Sequence, residues 1–147
     1  MPTRVLVNTF HVAADPKEVF DHLATPESYV GLSPLVVAVR DVDRSDPDVV
    51  RYTSIERFAF GPFRYDNPIA VTLRTDGLAV YGEVRSPGRV RMRYRFDLSP
   101  EDGGTRVEDR LELTAPWFLT RFAAGQARRV QLARAGILAE RLAVRTG

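Results

Sequence analysis

The chain has 147 residues, of which 44% are hydrophobic and 27% are charged, with a formal net charge of +2. This composition is typical of a soluble globular protein and excludes a disordered chain. The absence of cysteine excludes disulfides, thiolate metal sites and a cysteine nucleophile. No apolar run approaches the roughly 20 residues of a membrane span, and the N-terminal residues lack a signal-peptide pattern. A cytoplasmic location is therefore expected.

The first part of the chain predicts one strand followed by two short helices. Thr3–Val12 is rich in β-branched residues and predicts a strand. Asp15 and Pro16 then suit the N-cap and the first position of a helix, and Thr25 and Pro26 repeat this pattern a few residues later. Two short helices are therefore expected between the first and second strands.

The middle of the chain predicts only strands, separated by turn signals rich in Gly, Pro, Asp and Ser. The predicted strands are 35–42, 49–60, 63–74, 78–85, 89–98 and 105–115. Consecutive strands joined by such short turns favour an antiparallel sheet.

The last two predicted strands alternate apolar and charged residues with a period of two, which predicts one dry and one solvated face. A loop over 100–104 that pairs Leu98 near Thr105 places Tyr94 opposite Asp109 on the dry face. The same register predicts charged pairs on the outer face, Arg95 with Glu108 and Arg91 with Glu112.

Asp109 lies where this alternation calls for an apolar residue. A carboxylate in a dry site must be paired, hydrogen-bonded or protonated. One interpretation is a polar anchor in a ligand cavity, and a candidate catalytic group that exchanges protons. The other is a structural carboxylate held by Tyr94 or by an arginine. The sequence leaves both open.

Residues 116–145 predict one long C-terminal helix, because they contain no proline after Pro116 and have apolar residues at helical spacing. The stripe expected to face the core consists of Leu119, Phe122, Gln126, Val130, Ala133 and Ile137. Its one polar member, Gln126, either binds a ligand or satisfies a loop carbonyl.

Aromatic residues supply further candidates for a binding site, since tyrosine combines an apolar ring with one polar hydroxyl. Phe58, Phe60 and Phe63 surround the Gly61-Pro62 turn and predict an apolar lid over an opening. The predicted ligand-binding residues are Tyr52, Phe63, Tyr81, Tyr94, Asp109, Trp117, Phe122 and Gln126.

Several other kinds of site are not expected. His11 and His22 are the only histidines and have no acidic cluster beside them, so neither a metal site nor a cofactor is predicted. No glycine-rich phosphate loop enters a helix. Arginines alternate with acidic residues in the last two strands, which indicates a solvated, self-neutralising surface and argues against nucleic-acid binding.

The order of elements and several local segments resemble the START-like (SRPBCC) helix-grip superfamily, which includes polyketide cyclases and lipid-transfer domains. The resemblance rests on four segments. They are residues 14–20 (Ala14-Asp15-Pro16-Lys17-Glu18-Val19-Phe20), residues 25–29, the 103–107 hairpin and the long final helix. It covers essentially the whole chain.

This resemblance implies an α+β helix-grip fold in which a curved, seven-stranded antiparallel sheet wraps around the C-terminal helix, as one ligand-binding domain over residues 1–147. It implies an apolar cavity that opens near residues 60–63 and 116–118.

The expected function is binding of a small-to-medium hydrophobic ligand that is lipid-like, aromatic or polyketide-like. The alternative is a cofactor-independent polyketide cyclase, aromatase or dehydratase, although the chain has no recognisable set of cyclase residues. A third alternative is a non-catalytic interaction partner that uses the exposed aromatic residues, for instance a chaperone-like domain or a homodimer.

Overall fold

The computed structural model describes residues 2–86 and 89–146, and describes only the backbone of residues 59, 60 and 144–146. The expected order of a strand, two short helices, six strands and a long helix is confirmed, although the second short helix, Pro26–Tyr29, is a 3₁₀ helix. The other elements are β1 Thr3–Val12, α1 Pro16–Leu23, β2 Val36–Asp43, β3 Val50–Phe60, β4 Phe63–Asp76, β5 Ala79–Ser86, β6 Val90–Glu101, β7 Gly104–Thr114 and α2 Thr120–Thr146.

The strands form one antiparallel sheet of seven strands in the order β1-β7-β6-β5-β4-β3-β2. Strands β2 to β7 pair with their neighbours in sequence, and β1 joins the sheet beside β7. Helix α2 packs mainly against β1 and more lightly against β7. The predicted seven-stranded antiparallel sheet with a long C-terminal helix is therefore confirmed.

The predicted register of the β6–β7 hairpin is wrong by two residues. Leu98 pairs with Val107, so Asp109 lies opposite Phe96 instead of Tyr94. The physical reason is the turn: Asp102 and Gly103 have φ values of +44° and +75°, which is the backbone of a two-residue hairpin loop. The strands therefore continue further toward the turn than the predicted five-residue loop allows.

The predicted charged pairs on the outer face change with this register. Arg95 lies opposite Arg110, and Arg91 lies opposite Thr114. One pair of opposite charges does face across the two strands, Arg93 with Glu112. The two predicted cross-strand pairs are therefore absent, and Arg95 instead forms an ion pair with Asp97 of its own strand, at 3.0 Å.

Pairing between β4 and β5 is interrupted in the middle of the two strands. The paired residues stop at Val71 with Val84 and resume at Arg74 with Tyr81. In this interval the backbone N–H of Glu83 donates to the Thr72 hydroxyl, at 3.0 Å.

A glycine and a tyrosine from the next strand close this interruption. A Cβ on Gly82 would lie 1.9 Å from the Thr72 carbonyl oxygen, so glycine is required by the close approach of the two backbones. The Tyr94 hydroxyl reaches across Gly82 and donates to the same carbonyl at 2.6 Å. A side chain thus replaces part of the backbone ladder.

Candidate functional site

A cavity of about 290 Å³ lies between the inner face of the sheet and helix α2. Most of its lining is apolar and comes from alternate residues of β3 to β7, because successive strand side chains point to opposite faces. The apolar lining from the strands and the loop before β2 consists of Leu35, Val36, Phe58, Ile69, Val71, Val84, Val90, Met92, Phe96, Leu111 and Leu113. This arrangement gives a largely dry chamber with one helical wall.

Helix α2 divides its apolar surface between the cavity and the sheet. The most buried residues of the helix are Ala124, Gln131, Leu138 and Leu142, and Gln131 bonds to the backbones of β1 and β7. The adjacent side forms the cavity wall, with Phe122, Ala123, Gln126, Ala127, Val130 and Arg134, and Leu119 just before the helix joins this wall. Four of the six residues in the predicted stripe therefore face the cavity, and the most deeply buried stripe lies beside it.

Four of the predicted ligand-binding residues line this cavity: Tyr52, Tyr94, Phe122 and Gln126. The Tyr94 hydroxyl is already engaged with the Thr72 carbonyl. The side chains of Tyr52 and Gln126 make no hydrogen bond to any residue that the structure describes. These two side chains can therefore bond a guest without breaking an existing interaction.

The other four predicted residues do not line the cavity. Tyr81 points to the outer face of β5, where the Arg95 guanidinium lies 5.3 Å from its ring centroid. Phe63 and Trp117 are exposed, at 75% and 80%, on the β3–β4 turn and before α2. Asp109 is fully buried behind the cavity wall. The side chain of Phe60, predicted as part of the apolar lid, lies outside the described residues.

Asp109 forms an ion pair with Arg134 of α2, and the distance between Oδ2 and Nη2 is 3.0 Å. Arg134 also donates to the Ser33 hydroxyl at 3.1 Å, and its guanidinium lies 5.2 Å from the Phe96 ring centroid. The Asp109 Oδ1 and the Arg134 Nε make no hydrogen bond to the described residues. Of the two charged groups, Arg134 is the one that reaches the cavity.

Gln131 is a buried polar residue that the sequence pattern did not single out. Its Nε2 donates to the backbone carbonyls of Leu6 at 3.2 Å and Asp109 at 3.0 Å, and its Oε1 accepts from Arg128 at 2.8 Å. All three contacts join α2 to the sheet or to itself. Gln131 therefore holds the helix against the sheet, whereas Gln126, five positions earlier, faces the cavity.

A second polar group lies on the inner face of β3 and its neighbours and was also missed. Glu56 lines the cavity together with Ser54, Asn67 and Ser86. Burial raises the pKa of the Glu56 carboxyl above its usual value. The alternation of Tyr52, Ser54, Glu56 and Phe58 could have identified this position, because residues two apart share a face.

Three tyrosines of the lining stay protonated at neutral pH. Burial raises the pKa of Tyr29, Tyr52 and Tyr94 above the ordinary tyrosine value. The Tyr29 hydroxyl donates to the Leu23 carbonyl at 2.6 Å. Because Tyr29 and Tyr94 both donate to the backbone, Tyr52 provides the uncommitted hydroxyl donor of this group.

Within the described ranges, no three His, Cys, Asp or Glu side chains lie close enough together to hold a metal ion. Of the helices in those ranges, none has the length and apolar character needed to cross a membrane.

In sequence, no family model and no curated protein matches this chain. Solved structures do match. The Zhui aromatase/cyclase from a Streptomyces species superposes with a TM-score of 0.84 at 14% identity, over 99% of this chain and 97% of that one. A START superfamily protein from Mycobacterium smegmatis gives 0.69 at 14% identity, over 94% and 96% of the two chains.

A third match is one half of a larger protein. The di-domain aromatase/cyclase BexL from the BE-7585A biosynthetic pathway superposes with a TM-score of 0.75 at 14% identity, over 95% of this chain and 50% of that chain. Identities this low establish the architecture and not the activity. The sheet order, the long C-terminal helix and these superpositions together identify the fold of this chain as the START-like helix-grip fold.

Proposed function

We propose that residues 1–147 form one domain that binds a small-to-medium hydrophobic ligand, aromatic, polyketide-like or lipid-like, inside the cavity. The observation that supports this proposal is a chamber of about 290 Å³ with an apolar lining and a few placed polar groups. Binding sites for small molecules have this character and typically occupy about 300–1,000 Å³. The cavity volume lies just below that range and favours a compact ring system over a long acyl chain.

A neutral fluorescent probe, N-phenyl-1-naphthylamine, tests this proposal because its emission rises in apolar surroundings. We expect saturable binding to the wild-type protein. Replacing Ala127, which lines the cavity, by Phe fills the space and should abolish binding. The matched control is Leu132→Phe, at a position of the same helix that is 53% exposed. Absence of saturable binding, or equal binding by Ala127→Phe and the control, would refute the proposal.

A second candidate is a cyclase, aromatase or dehydratase that uses the same cavity. The favouring observation is the Arg134 guanidinium in the cavity wall, together with the unbonded Tyr52 hydroxyl. In such a reaction an enolate carbon attacks a carbonyl of the same chain, a carbon–carbon bond forms, and water is then lost. A fixed cation and a hydroxyl donor would stabilise the charge that develops on oxygen. Asp109 does not line the cavity, so in such a reaction it would hold Arg134 in place and would not itself act as the acid or base.

A synthetic poly-β-ketone thioester tests this second candidate, with aromatic product followed by absorbance. Asp109→Asn should abolish turnover and retain binding of the naphthylamine probe if the carboxylate takes part in the chemistry. Loss of turnover in proportion to loss of folded protein would instead assign Asp109 a structural role. No product from the wild-type protein would leave ligand binding as the better description.

A third candidate is a protein interaction domain or homodimer that uses the exposed aromatic residues. Trp117 and Phe118 are exposed, and their rings meet edge to face with centroids 5.9 Å apart. Native mass spectrometry of the purified protein separates the alternatives. A monomer with a bound apolar molecule supports the ligand-binding proposal, whereas an empty dimer supports this one.

A further inference from the structure

Two groups of polar residues line different parts of the cavity, and Ser54 of β3 lies between them. Glu56, Asn67 and Ser86 come from β3, β4 and β5, and the Glu56 backbone pairs directly with that of Asn67. Tyr52 and Arg134 form the other group, with Tyr52 four residues from Glu56 along β3. Since a strand rises about 3.3 Å per residue, the two groups are about 13 Å apart along the strand.

The group at Glu56 has an acceptor without a donor. The Asn67 amide donates to the Ser86 hydroxyl at 3.2 Å, so these two side chains satisfy each other in part. Glu56 makes no ion pair and no side-chain hydrogen bond with the described residues. Glu56 is half-buried, so its carboxylate has lost part of its hydration, and a donor from a guest would replace part of what is lost.

The group at Arg134 has the opposite character. The Tyr52 hydroxyl and the Arg134 guanidinium are donors, and Asp109 compensates the arginine charge at 3.0 Å. The Arg134–Asp109 ion pair is therefore close to neutral overall. The donors of Tyr52 and Arg134 thus suit a neutral acceptor, such as a carbonyl oxygen, better than a carboxylate. The cavity thus has donors at one group and an acceptor at the other.

We infer that Glu56 determines the specificity of the cavity by accepting a hydrogen bond from a hydroxyl group of the ligand. The ligand is otherwise an apolar ring system, and its far end offers a neutral acceptor to Tyr52 and Arg134. This inference rests on the ligand-binding function proposed above. A ligand carboxylate would be repelled by Glu56. A ligand ammonium would lose its hydration in the chamber, and the attraction to one carboxylate only offsets that loss.

Two matched probes test the role of Glu56: 2-naphthol, which has the hydroxyl donor, and 2-methoxynaphthalene, in which a methyl group blocks it. Both are measured by displacement of N-phenyl-1-naphthylamine. We expect the wild-type protein to bind 2-naphthol about tenfold or more tightly than the ether, because hydrogen bonds to charged groups are the stronger class. Glu56→Leu should reduce this ratio to about one.

Two further variants separate a specific role from a general effect. Glu56→Gln keeps an acceptor oxygen without the charge and should restore part of the preference. Glu83→Leu removes an acidic group from the outer face of β5 and should leave the ratio unchanged. If both probes bind and Glu56→Leu keeps the wild-type ratio, the inference is wrong while the proposed function stands. If none of the three probes binds to the wild-type protein, both are wrong.

Discussion

Two carboxylates on the inner face of the sheet have opposite surroundings. Asp109, on β7, is fully buried and held by Arg134 from the helix. Glu56, on β3, is half-buried, faces the cavity and has no partner among the described residues. The alternation in sequence marks Asp109 as anomalous and does not mark Glu56. The ion pair of Asp109 indicates a structural contact, whereas the unpaired carboxylate of Glu56 in the cavity wall is available to a donor from a ligand.

Removing the carboxylate of Asp109 should destabilise the protein more than any change at Glu56. In Asp109→Leu the Arg134 guanidinium, whose side chain is 12% exposed, loses its counter-charge. Breaking a buried pair from one side costs about 3–5 kcal/mol in the free energy of unfolding, measured by urea denaturation. The control is Asp109→Leu combined with Arg134→Met, which should recover most of the loss. A double variant as unstable as the sum of both single variants would contradict this account.

The two glutamines of α2 provide a second and smaller contrast of the same kind. Gln131→Leu removes three hydrogen bonds from a fully buried side chain and should lower the free energy of unfolding by about 1–3 kcal/mol. Gln126→Leu removes none to the described residues and should change it by less than about 0.5 kcal/mol. Equal costs in thermal or urea denaturation would show that the two sides of the helix are not distinct.

Replacing Glu56 by Gln should stabilise the protein at neutral pH. Burial raises the folded-state pKa of Glu56 above the unfolded value of about 4.3. The folded state therefore binds the proton more tightly, and ionisation of Glu56 lowers stability as the pH rises from the unfolded pKa through the folded one. The gain in Tm of Glu56→Gln should be largest near about pH 8 and smallest near about pH 4. If the gain in Tm instead grows as the pH falls, the pKa of Glu56 is not raised in the folded state.

Asp66 should show the opposite pH dependence with the smallest effect. A hydrogen bond from Arg57, at 2.8 Å, holds the pKa of this exposed carboxyl below its usual value. Its contribution is therefore present above the unfolded pKa and is lost as the pH falls through the folded one. Asp66→Asn should lower Tm slightly at neutral pH and not at all in strong acid. A pH profile parallel to that of Glu56→Gln would indicate a general charge effect instead.

The elements of the fold were predictable because local signals determine them. Proline after an N-cap residue begins α1, and period-two alternation defines β6 and β7. The register of that hairpin was less accessible, because it depends on whether Asp102 and Gly103 alone form the turn. A change of turn length shifts every cross-strand pair together.

The site was predicted only in part, because its decisive contacts join residues far apart in sequence. Asp109 was identified, but its partner Arg134 is 25 residues away on a helix whose rotation a sequence pattern does not fix. The same uncertainty in rotation explains why Gln126 was singled out and Gln131 was missed. Tyr81 is a predicted ligand-binding residue only because it is aromatic, and it lies on the outer face of β5, away from the cavity.

The interruption between β4 and β5 makes the shape of the cavity depend on Gly82, a residue that does not line it. At Gly82 the two backbones approach so closely that only a hydrogen atom fits, and Tyr94 seals the join from the next strand. A side chain at Gly82 would collide with the Thr72 carbonyl and push the two strands apart at that point. Because Tyr94 lines the cavity and its hydroxyl would lie 2.8 Å from a Cβ at Gly82, a substitution at Gly82 would change the shape of the cavity without changing any lining residue.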